Sequence, residues 1–225
     1  MVLQTVINML LAGSSAVTPP ELKQPVQTTN TEQAAFPSGG LLHMKNATGD
    51  VTIEGCDCDD AEITTIKSGK DAADIDKIRV ITRTEGRELI ITTEFPRHVG
   101  FSPIGPAEKF KLEYHIKVPK SAKVDVEHSV GEVHVDDIHG DIRATSRQGE
   151  LLLHLRENQQ YAIDATSDYG AINSDFEGRQ KRRPWLFGVR FVQNMPSAPQ
   201  KIHLHIGYGD IVILKIRVPP IPAPR

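Results

Sequence analysis

The sequence has few of the residues that build aromatic or thiolate sites. Its 225 residues include one tryptophan, four tyrosines and two cysteines. This composition does not predict a broad aromatic platform for bases or sugars. Cys56 and Cys58 point to the same face if they lie on a strand, and a bridge between them would be strained, because disulfides need specific Cβ geometry. We interpret them as ordinary small side chains at a strand end, with a reactive or metal-binding pair as the alternative.

The sequence also lacks an excess of one charge and any long apolar run. It carries 26 basic and 29 acidic residues, a formal net charge of -3. That balance gives no long-range attraction for nucleic acid or an anionic membrane. No run approaches the roughly 18 apolar residues of a transmembrane helix. We therefore predict a globular chain with no nucleic-acid partner and no transmembrane helix.

Motifs of catalytic chemistry are missing as well. The sequence contains no G-x-S-x-G nucleophile elbow, no H-E-x-x-H zinc motif and no G-x-x-x-x-G-K-[ST] phosphate-binding loop. We expect no enzymatic activity, no metal and no cofactor. A carbohydrate-active β-helix enzyme, whose acidic residues meet only on folding, is the less favoured alternative.

The two ends of the sequence differ from its middle. Residues 1–16 contain a short apolar stretch followed by small residues, which indicates a remnant signal peptide without its basic start. Residues 17–40, rich in Pro, Thr and Gln, predict a flexible linker, and residues 217–225 a Pro-rich tail. A truncated signal predicts the periplasm, the cell surface or the medium, and a genuine N-terminus predicts the cytoplasm.

Between these ends a short unit recurs: a glycine, usually an acidic residue, then aliphatic residues at alternate positions. Glycine permits positive φ, an acidic side chain accepts bonds from turn amides, and alternate aliphatic residues bury one face of a strand. Three of the glycines are nine residues apart, which fits one short strand and one tight turn. The turn glycines so identified are Gly49, Gly131, Gly140, Gly149, Gly170 and Gly209.

These units predict an all-β domain over residues 41–216. We favour a β-solenoid, a stack of short glycine-punctuated strands similar to a parallel β-helix. An antiparallel β-sandwich uses the same alternation and stays the alternative. The pattern breaks at residues 178–199, where we predict an inserted hairpin or strand pair.

The run IKVPKSAKVDVEHSVGEVHVDDIHGDIRATSRQGEL, from Ile116 to Leu151, carries a family resemblance. A strand ending in Val118-Pro119, a valine strand and repeated glycine units resemble the bacterial adhesin-like family of β-strand repeat proteins, a domain of unknown function. The resemblance extends over about residues 41–216. It implies an exported or membrane-attached β-solenoid with no established catalytic residues.

A basic cluster in the insertion is the candidate interaction patch. It comprises Arg179, Lys181, Arg182, Arg183 and the neighbouring Trp185. Such a cluster fits an acidic protein or polysaccharide partner, and a solvated loop is the alternative.

Two other residue sets are candidate metal ligands. The first is the acidic residues that follow the glycines, which could form a carboxylate row for Ca²⁺ but which we interpret as structural turn residues. They are Asp50, Glu132, Asp141, Glu150 and Asp210. The second is His203 and His205, a pair at i and i+2 on one strand face that could hold zinc if a third ligand lay nearby. We expect these two imidazoles to face solvent, and His134, which likewise alternates with aliphatic residues, to do the same.

The leading functional hypothesis is a non-enzymatic, adhesin-like module of the cell envelope or surface. It would act by binding a protein or polysaccharide, or by self-association through the open ends of the stack. A cytosolic scaffold of the same architecture is the second hypothesis.

Overall fold

The computed structural model describes residues 25–95, 101–102, 105–106, 110–182 and 188–217. Within these ranges the chain is mostly strand, with a single helical turn, α1 (Ala72–Ile75). The strands are β1 (Val26–Ala35), β2 (Leu41–Thr48), β3 (Asp50–Cys56), β4 (Asp60–Gly69), β5 (Arg79–Glu85), β6 (Glu88–Glu94), β7 (Phe101–Ser102), β8 (Gly105–Pro106), β9 (Phe110–Pro119), β10 (Lys123–Asp136), β11 (Ile142–Arg156), β12 (Tyr161–Tyr169), β13 (Ile172–Ser174), β14 (Arg179–Arg182), β15 (Val189–Gln193) and β16 (Gln200–Ile216).

Three long strands, β10, β11 and β16, lie side by side and parallel at the centre of the stack. Each strand has two halves that bury opposite sets of alternate residues. In β10 the buried positions are even-numbered up to His128 and odd-numbered from Val133 onward. Because successive strand residues point to opposite faces, this change of parity means that the strand turns its inward face near Gly131. Each long strand is therefore one two-sided rung of a solenoid.

The rung explains the nine-residue spacing of the glycines. Val124 pairs with Ile142 and Val133 with Leu151, so one rung advances the chain by 18 residues. Nine residues make half a rung. Gly131 and Gly149 therefore pair with each other at one corner, whereas Gly140, which lies between them in the sequence, belongs to the opposite corner.

Each side of the solenoid continues across neighbouring rungs. The first side has the order β5–β6–β2–β10–β11–β16–β12–β15–β14, and the second side has the order β1–β4–β9–β3–β10–β11–β16–β13. Pairing is parallel in the middle of both sides and antiparallel at three of the four ends, whereas β13, at the fourth end, pairs in parallel with β16. This parallel stack confirms the predicted β-solenoid-like fold over the antiparallel sandwich.

The core lies between the two sides. Inward aliphatic residues stack in register from rung to rung, such as Val133, Leu151 and Ile211, which are all at most 1% exposed. Burying one such side chain stabilises the folded chain by about 1.5–3 kcal/mol. The alternation seen in the sequence therefore supplies most of the cohesion between rungs.

The predicted linker, residues 17–40, is wrong for its second half. Residues 26–35 form β1, which pairs antiparallel with β4 along its whole length. β1 is polar and almost entirely exposed, so its sequence shows no buried face. Backbone hydrogen bonds to the edge of β4 hold it in place, and these leave no trace in hydrophobic pattern.

The interpretation of the cysteines as unpaired side chains is also wrong. Cys56 and Cys58 form a disulfide, with their Cα atoms 5.3 Å apart. That separation lies within the usual range for disulfides. Cys56 is the last residue of β3, so the bridge closes the chain just after this strand ends.

The remaining boundaries concern the insertion and the two ends. Within residues 178–199, β14 pairs antiparallel with β15, and β15 pairs antiparallel with β12. The insertion is thus a strand pair that extends the first side. The possible signal at residues 1–16 and the tail at residues 218–225 lie outside the described residues.

Candidate functional site

Five of the six glycines form a column at one corner of the solenoid. From neighbour to neighbour it runs Gly49, Gly131, Gly149, Gly209, Gly170, with φ between +103° and +156°. A Cβ atom on Gly149 would lie 1.8 Å from the carbonyl oxygen of Gly131, and one on Gly209 would lie 1.8 Å from that of Gly149. Both the positive φ and the close approach require glycine here. The column therefore shapes the corner.

Gly140 has a different role. It has no positive φ, and a Cβ atom on it would lie 2.1 Å from the carbonyl oxygen of Ala122. It belongs to the opposite corner, where backbones of neighbouring rungs also meet closely. The repeat unit in the sequence thus alternates between two kinds of corner.

Acidic residues after the glycines bind backbone amides of neighbouring rungs. The carboxylate of Asp210 accepts a hydrogen bond of 2.7 Å from the Ala171 amide, and that of Asp141 accepts one of 2.9 Å from the Lys201 amide. Asp50 accepts one of 3.3 Å from an amide of the β10 rung. These three carboxylates satisfy corner amides and link rungs, which gives them a structural use.

The basic cluster lies partly on the last strand of the first side. Arg179, Lys181 and Arg182 are exposed residues of β14, whereas Arg183 and Trp185 lie outside the described residues. Arg179 pairs with Val192 and Lys181 with Arg190 on β15. Arg179 and Lys181 share one face of β14, because alternate residues of a strand point the same way. This face points outward, since Lys181 lies opposite the exposed Arg190.

A surface cavity of about 760 Å³ lies against this strand pair. Three cationic side chains line it, those of Arg179, Lys181 and Arg190. Arg190 also makes a bidentate ion pair with Asp164, with N–O distances of 2.9 and 2.7 Å. The other lining residues are Glu177, Gly178, Val192, Gln193, Asn194 and Met195. The described lining thus combines a cationic surface with side-chain amides.

Strand register places one further arginine, Arg143, on the same outward face as this strand pair, with His203, Asp164 and Val192 between it and Arg179. Arg143 on β11 pairs with His203 on β16, which pairs with Asp164 on β12, and β15 and β14 complete the row. Arg143 and Arg179 are 36 residues apart in the sequence but four strands apart in the row. Sequence reasoning missed Arg143 because only register brings it to this surface. On β10 the outward residues become acidic, with Asp125 opposite Arg143.

Two tyrosines form an exposed aromatic pair that the composition did not predict. Tyr169 and Tyr208 pair in register, and their rings stack at 4.7 Å with an interplanar angle of 7°. They are 39% and 57% exposed. Each precedes a glycine of the column, so the solenoid corner sets their position. The repeat unit is the signal that could have found them.

The histidines divide into exposed and half-buried groups. His203 is exposed, as predicted, and His205 pairs with Asp168 at 3.0 Å. His134 lies on the outer face of the sheet between the buried Val133 and Val135, as expected. It is half-buried, and its Nε2 atom lies 3.2 Å from Nδ1 of His154 on the next rung. Burial, and secondarily the neighbouring His154, lower the pKa of His134.

One further histidine is fully inside. His128 is 5% exposed, with Nε2 at 2.8 Å from the carbonyl oxygen of Gly49 and Nδ1 at 3.1 Å from the Ser146 hydroxyl. Burial lowers the pKa of His128, and the bond to Gly49 and the charge of Asp50 offset this only in part. His128 lies next to the glycine column and joins two rungs.

No helix in the part of the chain that the structure describes has the length and apolar character needed to cross a membrane.

One protein-family model matches more than half of the chain. The model of the Toastrack DUF4097 family matches residues 39–213. This chain belongs to the Toastrack DUF4097 family. The matched range begins just before β2 and ends within β16, so it includes the insertion and every described strand of the solenoid except β1 and the last residues of β16. No curated protein matches this Toastrack chain.

Solved structures similar to this Toastrack chain come from bacteria. A "putative cell adhesion protein" from Clostridium sporogenes is 13% identical with a TM-score of 0.54, over 86% of this chain and 100% of that one. A "putative adhesin" from Bacteroides fragilis is 8% identical with a TM-score of 0.30, over 83% and 97% of the two chains. At this identity the first similarity supports the fold alone.

Proposed function

We propose that this Toastrack protein is a non-enzymatic, adhesin-like binding module that recognises an acidic polysaccharide. The observation that carries the proposal is the cationic cavity beside β14. Arg179, Lys181 and Arg190 line one opening at the end of the first side.

The chemistry of this cavity favours an acidic sugar chain. Guanidinium and ammonium groups pair with carboxylates, and Arg does so bidentately. Gln193 and Asn194 add amides that donate to and accept from hydroxyl groups. Alternating carboxylate and hydroxyl groups are the chemistry of a uronic acid polymer. The row through Arg143 offers further cationic contact for an extended ligand.

Binding without catalysis is the simpler use of this site. Glycoside hydrolysis usually requires a pair of carboxyl groups about 5–10 Å apart across the bond that is cleaved. Among the described residues of the cavity lining, Glu177 is the single carboxylate. The proposed role is therefore recognition.

The proposed location is the periplasm, the cell surface or the medium. The disulfide between Cys56 and Cys58 supports this location, because disulfides persist in oxidising compartments. The N-terminal mass of the protein isolated from envelope and cytosolic fractions tests it. Cleavage near residue 16 supports export, and an intact Met1 confined to the cytosol would establish the alternative of a cytosolic scaffold.

The binding proposal is tested with oligogalacturonate as the probe and uncharged dextran as its neutral control. The double variant Arg179→Glu/Lys181→Glu reverses two charges of the cavity. Arg79→Glu/Arg83→Glu is the matched control, since both residues are exposed on β5 at the opposite end of the first side. We expect wild type and control to bind equally, and the cavity variant to bind at least about tenfold more weakly.

Ionic strength, dextran and a second acidic polymer, poly-glutamate, provide the other tests of this proposal. Binding of oligogalacturonate should weaken as ionic strength rises, because exposed charges are screened. Equal binding of dextran, or equal loss in both variants, contradicts recognition by the cavity. Binding of poly-glutamate without oligogalacturonate would replace the polysaccharide by an acidic protein. No binding of either polymer by wild type would overturn the proposal.

A further inference from the structure

Three potential metal ligands meet on the outer face of the second side, away from the cationic cavity. They are His134 and Asp136 on β10 and His154 on β11. The 18-residue rung brings them together, because it pairs Asp136 with His154 and leaves His134 two pairs along the ladder, on the same face as Asp136. We name these three residues the His–Asp–His cluster.

The donor atoms of the cluster already converge. Nε2 of His134 lies 3.2 Å from Nδ1 of His154, and that Nδ1 lies 3.8 Å from Oδ2 of Asp136. One ligand atom from each residue lies within 4.8 Å of the others. Two nitrogens at 2.0–2.1 Å from a tetrahedral zinc ion are about 3.4 Å apart. The observed nitrogen separation therefore requires little movement.

The surroundings of the cluster favour a metal over two solvated imidazoles. All three residues are half-buried, and half-buried aliphatic side chains flank them in register: Leu152 beside His134 and Leu214 beside His154. An apolar surrounding limits solvent access and strengthens the attraction between a cation and Asp136. On the other flank Glu54 of β3 pairs with Asp136 and could add a fourth ligand.

We infer that the His–Asp–His cluster is a binding site for a divalent ion of the zinc type. Two imidazole nitrogens and one carboxylate oxygen are ligands that Zn²⁺ accepts, and three protein ligands leave one position for water or Glu54. Without metal, one imidazole N–H donates across the 3.2 Å contact. Binding moves that hydrogen to the other nitrogen of the same ring, a change of tautomer that leaves the ring neutral.

Titration of the full-length, untagged and chelator-treated chain with Zn²⁺, followed by calorimetry, tests this inference. We expect one ion per chain. His134→Gln and His154→Gln should each weaken binding more than about tenfold, since even the outer partners of a metal ligand contribute that much. His203→Gln is the matched control, because His203 is an exposed outward histidine on the other side, and it should bind as wild type does.

A measurement on wild type keeps the test valid if a variant does not fold. Of the nine histidines, those at 134 and 154 should be the ones whose imidazole NMR signals shift on addition of one equivalent of Zn²⁺. No stoichiometric binding would mean that the cluster is a histidine–histidine hydrogen bond alone. Equal binding by wild type and His134→Gln, or shifts at other histidines, would also overturn the inference. These readouts are independent of polysaccharide binding.

Discussion

At the scale of single residues, the glycine column shows most directly how the sequence shapes the solenoid. Gly149 has a φ of +132° and approaches the carbonyl oxygen of Gly131. Gly86, in the turn between β5 and β6, also has a positive φ, of +62°, but a Cβ atom there would have no neighbour within 4 Å. Alanine substitutions at these two positions therefore separate the free-energy cost of positive φ from the cost of close packing between rungs.

Gly149→Ala should therefore lower the free energy of unfolding by about 3 kcal/mol or more, because neighbouring rungs must move apart. Gly86→Ala should lower it by only about 1 kcal/mol, the cost of positive φ less the entropy that alanine removes from the unfolded chain. Urea denaturation of both variants measures the difference. Equal losses would mean that close approach adds nothing to the requirement for glycine.

His128 predicts a pH dependence of stability. Its pKa in the folded chain is lowered, mainly by burial, whereas a histidine in the unfolded chain titrates near 6.5. Below about pH 6.5 the unfolded chain therefore binds a proton that the folded chain does not, and the free energy of unfolding falls as pH falls. The stabilising contribution is complete above this pH.

The test compares wild type with His128→Gln between pH 7.5 and 5.5. The variant should be less stable than wild type at pH 7.5, because it loses the bond to Gly49. It should also lose less stability on acidification. His203→Gln should keep the wild-type slope, since His203 is exposed. Parallel slopes for wild type and His128→Gln would contradict the linkage.

At the scale of elements, the end strands β1 and β14 differ from the central strands because they form without a buried apolar face. Both are polar strands with exposed side chains. Their neighbours β4 and β15 hold them through antiparallel backbone pairing. The exposed positive charges of β14 also reduce edge-to-edge association.

Hydrogen exchange should reveal β1 as a strand in solution. Because an edge strand in an antiparallel pair bonds through alternate amides, alternate residues of Val26–Ala35 should exchange slowly and the others quickly. Residue-resolved exchange by NMR measures this pattern. Uniformly fast exchange would restore the linker that the composition predicts.

At the scale of the whole molecule, the position of β16 determines how the fold closes. β16 is the last strand of the described residues, yet it lies between β11 and β12 and pairs in parallel with both. Its inward residues complete the core columns, as Ile211 does beside Leu151. The stack is therefore not built in sequence order.

A chain ending at residue 199 should accordingly fail to fold, because β11 and β12 lose their shared partner. The control is a chain ending at Arg217, which keeps all of β16. Far-UV circular dichroism and a thermal melt compare the two. A cooperative transition in the shorter chain would show that the rungs before β16 form an independent stack.

The sequence by itself determined the inward alternation and the glycine turns, which favour a β-solenoid but leave the antiparallel β-sandwich as an alternative. These features are local, since strand period and positive φ depend on neighbouring residues alone. Tertiary structure decided the 18-residue rung, the polar strand β1 and the insertion of β16. It also decided which distant side chains meet, such as Arg190 with Asp164 and His134 with His154. Pairing register sets these meetings, and register depends on how all rungs pack together.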